Sequence, residues 1–126
     1  MENTPANILL VDDELPLLNL MEMFLKKLGY AVEKRDRGGD AWSLFESDPD
    51  RFAVVVVDLS LPDMAGKDLA MKLVQSHSKV RILLCSGWPF EVRSLPEEVQ
   101  PRFAVLQKPF LPKMLASAVE ELLHRP

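Results

Sequence analysis

The feature that most constrains this chain is a regular alternation between short apolar runs and segments with helical spacing. Residues 8–11, 52–57, 80–85 and 103–106 are short apolar runs, and residues 30–35 alternate weakly between apolar and polar side chains. Apolar residues recur at three- and four-residue steps over residues 17–28, 41–45, 66–76 and 112–123. The first pattern predicts strands and the second predicts helices, so the sequence predicts five strands interleaved with helices.

Strands that alternate with helices predict an α/β fold with a parallel sheet and helices on both of its faces. The unbroken β-branched run at residues 54–57 supports this, since a central parallel strand is covered on both sides. Five strands favour the flavodoxin-like, doubly wound order 2-1-3-4-5. Pro89, Pro96 and Pro101 all lie before the fifth strand, and they predict a short or irregular fourth helix.

The chain has 126 residues, which is the usual size of one compact domain, and we expect a single domain over residues 1–126 with a loose segment at residues 1–6. Its net charge is −4, and no basic stretch is longer than the short cluster of Lys34, Arg35 and Arg37, so a direct nucleic-acid partner is not expected. The polar N-terminus is not typical of a secretory signal, and no apolar run reaches the roughly 20 residues of a membrane span. We therefore expect a cytoplasmic protein that does not associate with membranes.

Reactive side chains stand where four of the predicted strands end. Asp12 and Asp13 follow the first strand, Asp58 follows the third, Ser86 the fourth and Lys108 the fifth. Ligands of such sheets bind beyond the carboxyl ends of the strands, so these residues are expected to converge on one edge. Each residue alone could be an ordinary turn or surface residue, but the joint placement favours a common site.

Three carboxylates brought together repel one another unless a cation compensates for their charge. A cluster of oxygen ligands with open positions suits Mg²⁺, which also accepts phosphate oxygens. A carboxylate is a competent nucleophile toward phosphorus, and a lysine with a serine hydroxyl can hold the remaining phosphate oxygens. The sequence therefore predicts a site for Mg²⁺-dependent phosphoryl transfer to an aspartate.

Four segments, in this order and spacing, resemble the receiver domains of two-component response regulators, and the similarity covers nearly the whole chain. They are ILLVDDE at residues 8–14, VVVVDLSLPDMAGKDL at 54–69, RILLCSGW at 81–88 and LQKPF at 106–110. The resemblance implies a phosphorelay switch that takes a phosphoryl group from a histidine kinase or phosphotransfer protein. It also implies an unknown downstream protein or effector domain as a second partner.

The resemblance assigns a role to each residue of the predicted site. Asp58 would be the phosphoacceptor, Lys108 would pair with it and then with its phosphate, and Ser86 would move toward the phosphate on activation. Asp13 and Asp58 would bind Mg²⁺ directly, Asp12 through water, and Ser60 through its backbone carbonyl. The resemblance further implies a cis peptide before Pro109, and it matches Pro62 and Gly66 to the loop after the third strand.

The chain departs from the family pattern at three places. The aromatic residue that usually stands three positions before the lysine is replaced by Val105, so the aromatic part of the switch is either absent or partly supplied by Phe103. Trp88, two residues after Ser86, is either a passive lid or acts with Ser60 to restrict water access to the acyl phosphate. The Pro-interrupted fourth helix is an unlikely dimer face, which favours a monomer.

Two alternatives to a phosphorylated switch deserve comparison. An aspartate-nucleophile phosphatase normally needs a second Asp two residues after the first, and here that position is Ser60. A pseudo-receiver, which keeps the fold as an interaction module without phosphorylation, would typically lose an acidic residue or the lysine, and all are present.

Because the chain ends soon after the last helix, we expect either a stand-alone receiver or one domain of a larger protein, such as a hybrid histidine kinase.

Overall fold

The computed structural model describes residues 6–126, and over this range the chain forms five strands and four α-helices. The strands are β1 (Asn7–Val11), β2 (Ala31–Arg35), β3 (Val54–Asp58), β4 (Arg81–Ser86) and β5 (Phe103–Gln107). The helices are α1 (Leu15–Lys27), α2 (Gly38–Ser47), α3 (Gly66–Ser76) and α4 (Pro112–Leu123). The prediction of a loose segment at residues 1–6 falls, for residues 1–5, outside the described range.

All strands are parallel, and their order in the sheet is β2-β1-β3-β4-β5. This order confirms the predicted flavodoxin-like fold. β3 lies in the centre of the sheet, and each of its five residues is buried. Alternate residues of β3 face opposite sides, because side chains of a strand point up and down in turn.

The two faces of the sheet carry separate hydrophobic clusters. Val54 and Val56 pack in the cluster that contains the buried residues of α1 and α4, such as Leu25 and Val119. Val55 and Val57 pack in the cluster that contains those of α2 and α3, such as Phe45. Helices therefore cover both faces, which explains why β3 is apolar without interruption.

The connection between β4 and β5 contains two three-residue 3₁₀ turns, Val92–Ser94 and Gln100–Arg102, in place of a fourth α-helix before β5. The prediction of a short or irregular element is thus confirmed. Leu95 and Val99 of this connection are buried against the α2/α3 side of the sheet, so the segment still covers the core. The Arg102 guanidinium anchors it by donating hydrogen bonds to the backbone carbonyls of Val74, His77 and Val80.

No helix within residues 6–126 is both long enough and apolar enough to cross a membrane.

Candidate functional site

The carboxyl ends of the strands bring the predicted acidic residues together. Asp12 directly follows β1 and Asp58 is the last residue of β3, and these two strands are neighbours in the sheet. One carboxylate oxygen from each of Asp12, Asp13 and Asp58 lies within 4.8 Å of the other two. Asp12 and Asp58 are buried, whereas Asp13 is exposed, and Asp13 and Asp58 line a pocket open to solvent.

Lys108, which follows β5, places its ammonium group among these carboxylates. Its Nζ lies 3.1 Å from Asp12 Oδ2, 3.2 Å from Asp58 Oδ2 and 3.0 Å from Glu14 Oε2. Burial alone would lower the pKa of Lys108, but the hydrogen bond to Glu14, the close ion pair with Asp12 and the negative charges of Asp12 and Asp58 outweigh it, so the pKa is raised. Lys108 is therefore a permanent positive charge in this pocket.

Asp12 is held in one orientation by the backbone of its own loop. Its Oδ1 accepts a hydrogen bond from the Glu14 N–H at 2.8 Å. Its Oδ2 is buried and forms an ion pair with Lys108, but it accepts no hydrogen bond of acceptable geometry within residues 6–126. Burial raises the pKa of the Asp12 carboxyl, and the neighbouring Asp58 charge acts in the same direction.

This donor set fits a hard divalent cation. It offers carboxylate oxygens only, one of them buried without a hydrogen-bond donor, and the exposed side of Asp13 leaves room for water or a phosphate oxygen. Mg²⁺ has these ligand preferences, whereas metals that favour thiolate or imidazole would find no such ligand in the cluster. The acidic cluster is thus of the type found in receiver Mg²⁺ sites.

Asp58 is connected to the loop that follows it. Its Oδ1 accepts a hydrogen bond from the Ser60 N–H at 3.2 Å, while its Oδ2 faces Lys108. Ser60 in turn pairs with Ala65 in an antiparallel bridge across the loop. Ser60 therefore lines the pocket beside the proposed phosphoacceptor.

Ser86 lies at the end of β4, but its hydroxyl is engaged with its own loop. Its Oγ donates to the Trp88 carbonyl at 2.5 Å and accepts from the Trp88 N–H at 3.0 Å. The side chain is fully buried, and it does not line the pocket that Asp58 and Lys108 share. The structure thus brings Asp12, Asp13, Asp58 and Lys108 together, with Ser60 beside them. The Ser86 hydroxyl is not part of this group, because it is hydrogen-bonded to the Trp88 backbone.

The positions around Lys108 also bear on the departures from the family pattern. The Lys108–Pro109 peptide is cis, as the resemblance implied. Phe103 and Val105 point to the same side of the sheet, but Phe103 pairs with Ile82, four residues before Ser86 on β4. At about 3.3 Å per residue this separation is roughly 13 Å, so Phe103 is too far away to act on Ser86 directly. The geometry favours absence of the aromatic part of the switch.

Two residues near the site were not singled out by sequence reasoning. Glu14 contacts Lys108, and Asp63 accepts hydrogen bonds from Gly38 and Gly39 in the neighbouring loop. For Glu14 the signal was its position directly after Asp12 and Asp13 at a strand end. For Asp63 no local signal exists, because its partners lie 25 and 24 residues earlier.

Comparison with known proteins agrees with this geometry. The family model described as response regulator receiver domain matches residues 8–120. The response regulator receiver protein CpdR of Brucella abortus is 30% identical over 117 residues, which is 92% of this chain and 95% of that protein. The sensor kinase CckA of the same organism is 31% identical over 122 residues, which is 95% of this chain but only 13% of that kinase.

Solved structures show the same architecture. A CheY-like response regulator receiver domain protein from Methanospirillum hungatei superimposes with a TM-score of 0.84 at 26% identity, covering 95% of this chain and 94% of that one. The family match spans most of the chain and includes the acidic cluster and Lys108. This chain therefore belongs to the response regulator receiver domain family.

Proposed function

We propose that this domain is a phosphorylation-controlled switch in which Asp58 accepts a phosphoryl group from a histidine kinase or phosphotransfer protein. The observation that carries the proposal is the shared pocket in which the Asp58 carboxylate meets Asp12, Asp13 and Lys108. The pocket opens to solvent, so a phosphohistidine side chain of a partner can reach it. Phosphorylation would then change the surface that a downstream protein recognises.

Asp12, Asp13, Asp58 and the backbone carbonyl of Ser60 would hold Mg²⁺, with Asp12 acting through water. When bound, Mg²⁺ neutralises charge on the phosphoryl oxygens and favours in-line attack. A carboxylate oxygen of Asp58 forms the new O–P bond, the N–P bond of the donor breaks, and its electron pair returns to the donor imidazole. Lys108, already 3.2 Å from Asp58 Oδ2, supplies the positive charge for the added phosphate oxygens.

Ser86 would complete the phosphate site, and this requires its hydroxyl to leave the Trp88 backbone. Two hydrogen bonds hold it there, one donated and one accepted. Their release would free the loop that carries Trp88, a residue that is 51% exposed. The proposed signal is therefore a change in this loop, close to the pocket and accessible to partners.

The first test is intact mass after incubation with Mg²⁺ and acetyl phosphate. We expect the wild-type protein to gain one phosphoryl group, and we expect no gain without Mg²⁺ or in Asp58→Asn. Asp50→Asn, which changes an exposed carboxylate far from the pocket, is the matched control and should be modified like the wild type. Absence of modification while Mg²⁺ binds would favour the pseudo-receiver instead.

We expect Trp88→Ala to shorten the lifetime of the acyl phosphate severalfold. Trp88 and Ser60 both line the pocket, so removing the indole opens a path for the water that hydrolyses the phosphate. The measurement is the loss of the phosphoryl group over time after the phosphodonor is removed. Trp88→Phe keeps a ring at this position and should retain most of the lifetime, whereas equal rates in all three proteins would leave Trp88 as a passive lid.

The organisation of the whole protein belongs to the same proposal. We expect residues 1–126 to act as one receiver domain, in the cytoplasm and as a monomer. The chain spans most of CpdR but a small part of CckA, so both a free-standing receiver and a receiver region of a larger protein match its size.

A further inference from the structure

The loop between β3 and α3, residues 59–65, is closed at its base. The Gly66 N–H donates to the Leu59 carbonyl at 2.9 Å, and Ser60 pairs with Ala65 in an antiparallel bridge. These contacts join the two ends of the loop, and neither involves the residues at its tip. The tip contains Pro62, Asp63 and Met64, and it makes contacts outside the loop.

Asp63 provides such a contact with the first turn of α2. Its Oδ1 accepts from the Gly38 N–H at 2.8 Å, and its Oδ2 accepts from the Gly39 N–H at 2.9 Å. The first backbone amides of a helix have no hydrogen-bond acceptors within the helix. Arg37, the residue that precedes α2, does not cap these amides with its side chain. Asp63 thus caps α2 from another loop, and these two hydrogen bonds lower the pKa of its carboxyl.

The two consecutive glycines allow this close approach. A Cβ at position 38 would lie 2.4 Å from the sulfur of Met64, and one at position 39 would lie 3.3 Å from Asp63 Oδ2. The backbone of α2 and the tip of the loop are therefore in direct contact. A side chain at position 38 would displace the Met64 side chain, and one at position 39 would press on the Asp63 carboxylate that holds the loop to the helix.

The helix that receives this contact is itself firmly packed. Ala41 and Phe45 of α2 are buried, and the Phe45 ring stacks on Phe52 with centroids 6.5 Å apart. Lys72 of α3 lies over the Trp42 ring at 4.4 Å, which connects α2 to the helix that follows the loop. The first turn of α2 is therefore a fixed base to which the loop tip is attached.

We propose that Asp63 is a positioning residue: by tying the loop tip to α2, it holds the Ser60 carbonyl in place for the cation at the carboxylates. Only Leu61 and Pro62 separate Ser60 from Asp63, and the proline ring restricts the backbone between them. Ser60 also donates its N–H to Asp58, so motion of the tip would disturb both groups. This inference rests on the proposed function, in which the Ser60 carbonyl is a metal ligand.

The test compares Mg²⁺ affinity, measured by titration calorimetry, in Asp63→Ala, Asp63→Asn and Asp68→Asn. We expect Asp63→Ala to weaken Mg²⁺ binding about tenfold, the low end of what is typical when a group that orients a metal ligand is removed. Asp63→Asn keeps one acceptor oxygen and should lose less. Asp68→Asn removes the same charge from an exposed position five residues further on, and its affinity should equal that of the wild type.

A second measurement uses the wild-type protein and does not depend on the folding of any variant. Mg²⁺ should shift the amide NMR signals of Gly38 and Gly39 clearly more than that of Gly29, which lies at the far end of α1. Unshifted Gly38 and Gly39 signals, or Mg²⁺ affinities in Asp63→Ala equal to those of the wild type, would overturn the positioning role and leave the proposed function intact. A wild-type protein that binds no Mg²⁺ would overturn the proposed function itself.

Discussion

Replacing Gly66 with alanine is expected to lower the free energy of unfolding by about 3 kcal/mol, the upper end of the usual range for overpacked positions. Gly66 begins α3, where the chain turns back directly beneath the end of β3. A Cβ at this position would lie 2.0 Å from the carbonyl oxygen of Asp58 and 2.7 Å from the Cα of Leu59. Both are backbone atoms that cannot rotate away, so the loop or the strand end has to move.

Gly87→Ala is the matched control, because a Cβ at Gly87 would have no atom within 4 Å and the residue also lines the pocket. Its effect should stay within about 0.5 kcal/mol, as for ordinary surface substitutions. Urea unfolding followed by circular dichroism gives both values, with an unchanged slope indicating that only stability has changed. Equal midpoints for the two variants would show that the loop or the strand end accommodates the added Cβ with no loss of stability, despite the short contact distances.

The sheet could be predicted from the sequence because its physical causes are local. Four strands are short apolar runs followed by a polar residue, β2 alternates weakly between apolar and polar residues, and the four valines of β3 indicate a central strand covered on both faces. Convergence of Asp12, Asp58 and Lys108 then follows from topology, since the carboxyl ends of parallel strands share one edge. The prolines between β4 and β5 likewise predicted where a regular helix would not form.

The side-chain partners could not be predicted in the same way. The contact of Asp63 with Gly38 and Gly39 joins two loops whose separation in sequence carries no pattern. The direction of the Ser86 hydroxyl depends on the turn that follows it, because this turn brings the Trp88 N–H and carbonyl within hydrogen-bond distance of the hydroxyl. The role of Glu14 as a third partner of Lys108 depends on which way an exposed side chain turns. These contacts depend on tertiary structure, whereas the strand ends themselves could be located from sequence.

Lys108→Ala is expected to have opposite effects on stability and on Mg²⁺ binding. The Nζ of Lys108 lies within 3.2 Å of oxygens from Asp12, Asp58 and Glu14, and the first two residues are buried. Removing one partner of a buried ion pair leaves uncompensated charge, which typically costs about 3–5 kcal/mol. Because this pocket is open to solvent and Asp12 can take up a proton, we expect a loss of about 2 kcal/mol without Mg²⁺.

The proton uptake by Asp12 gives this loss a pH dependence. Burial already raises the pKa of Asp12, and removing the Lys108 charge raises it further. A carboxyl whose pKa is higher in the folded state binds protons preferentially in that state, so folding is favoured as the pH falls toward its ordinary value of 3.8. The destabilisation by Lys108→Ala should therefore be smaller at mildly acidic pH than at neutral pH.

The same variant should bind Mg²⁺ more tightly than the wild type, because a cation that competes for the same carboxylates has been removed. Saturating Mg²⁺ should consequently restore most of the lost stability, since a ligand of the folded state stabilises it according to its affinity. Lys113→Ala removes the same charge from an exposed position in α4 and should change neither quantity. Urea unfolding with and without Mg²⁺, combined with calorimetric titration, measures both effects. If Lys108→Ala bound Mg²⁺ more weakly, Lys108 would be acting as a support for the carboxylates, and the competition between ammonium and metal would be ruled out.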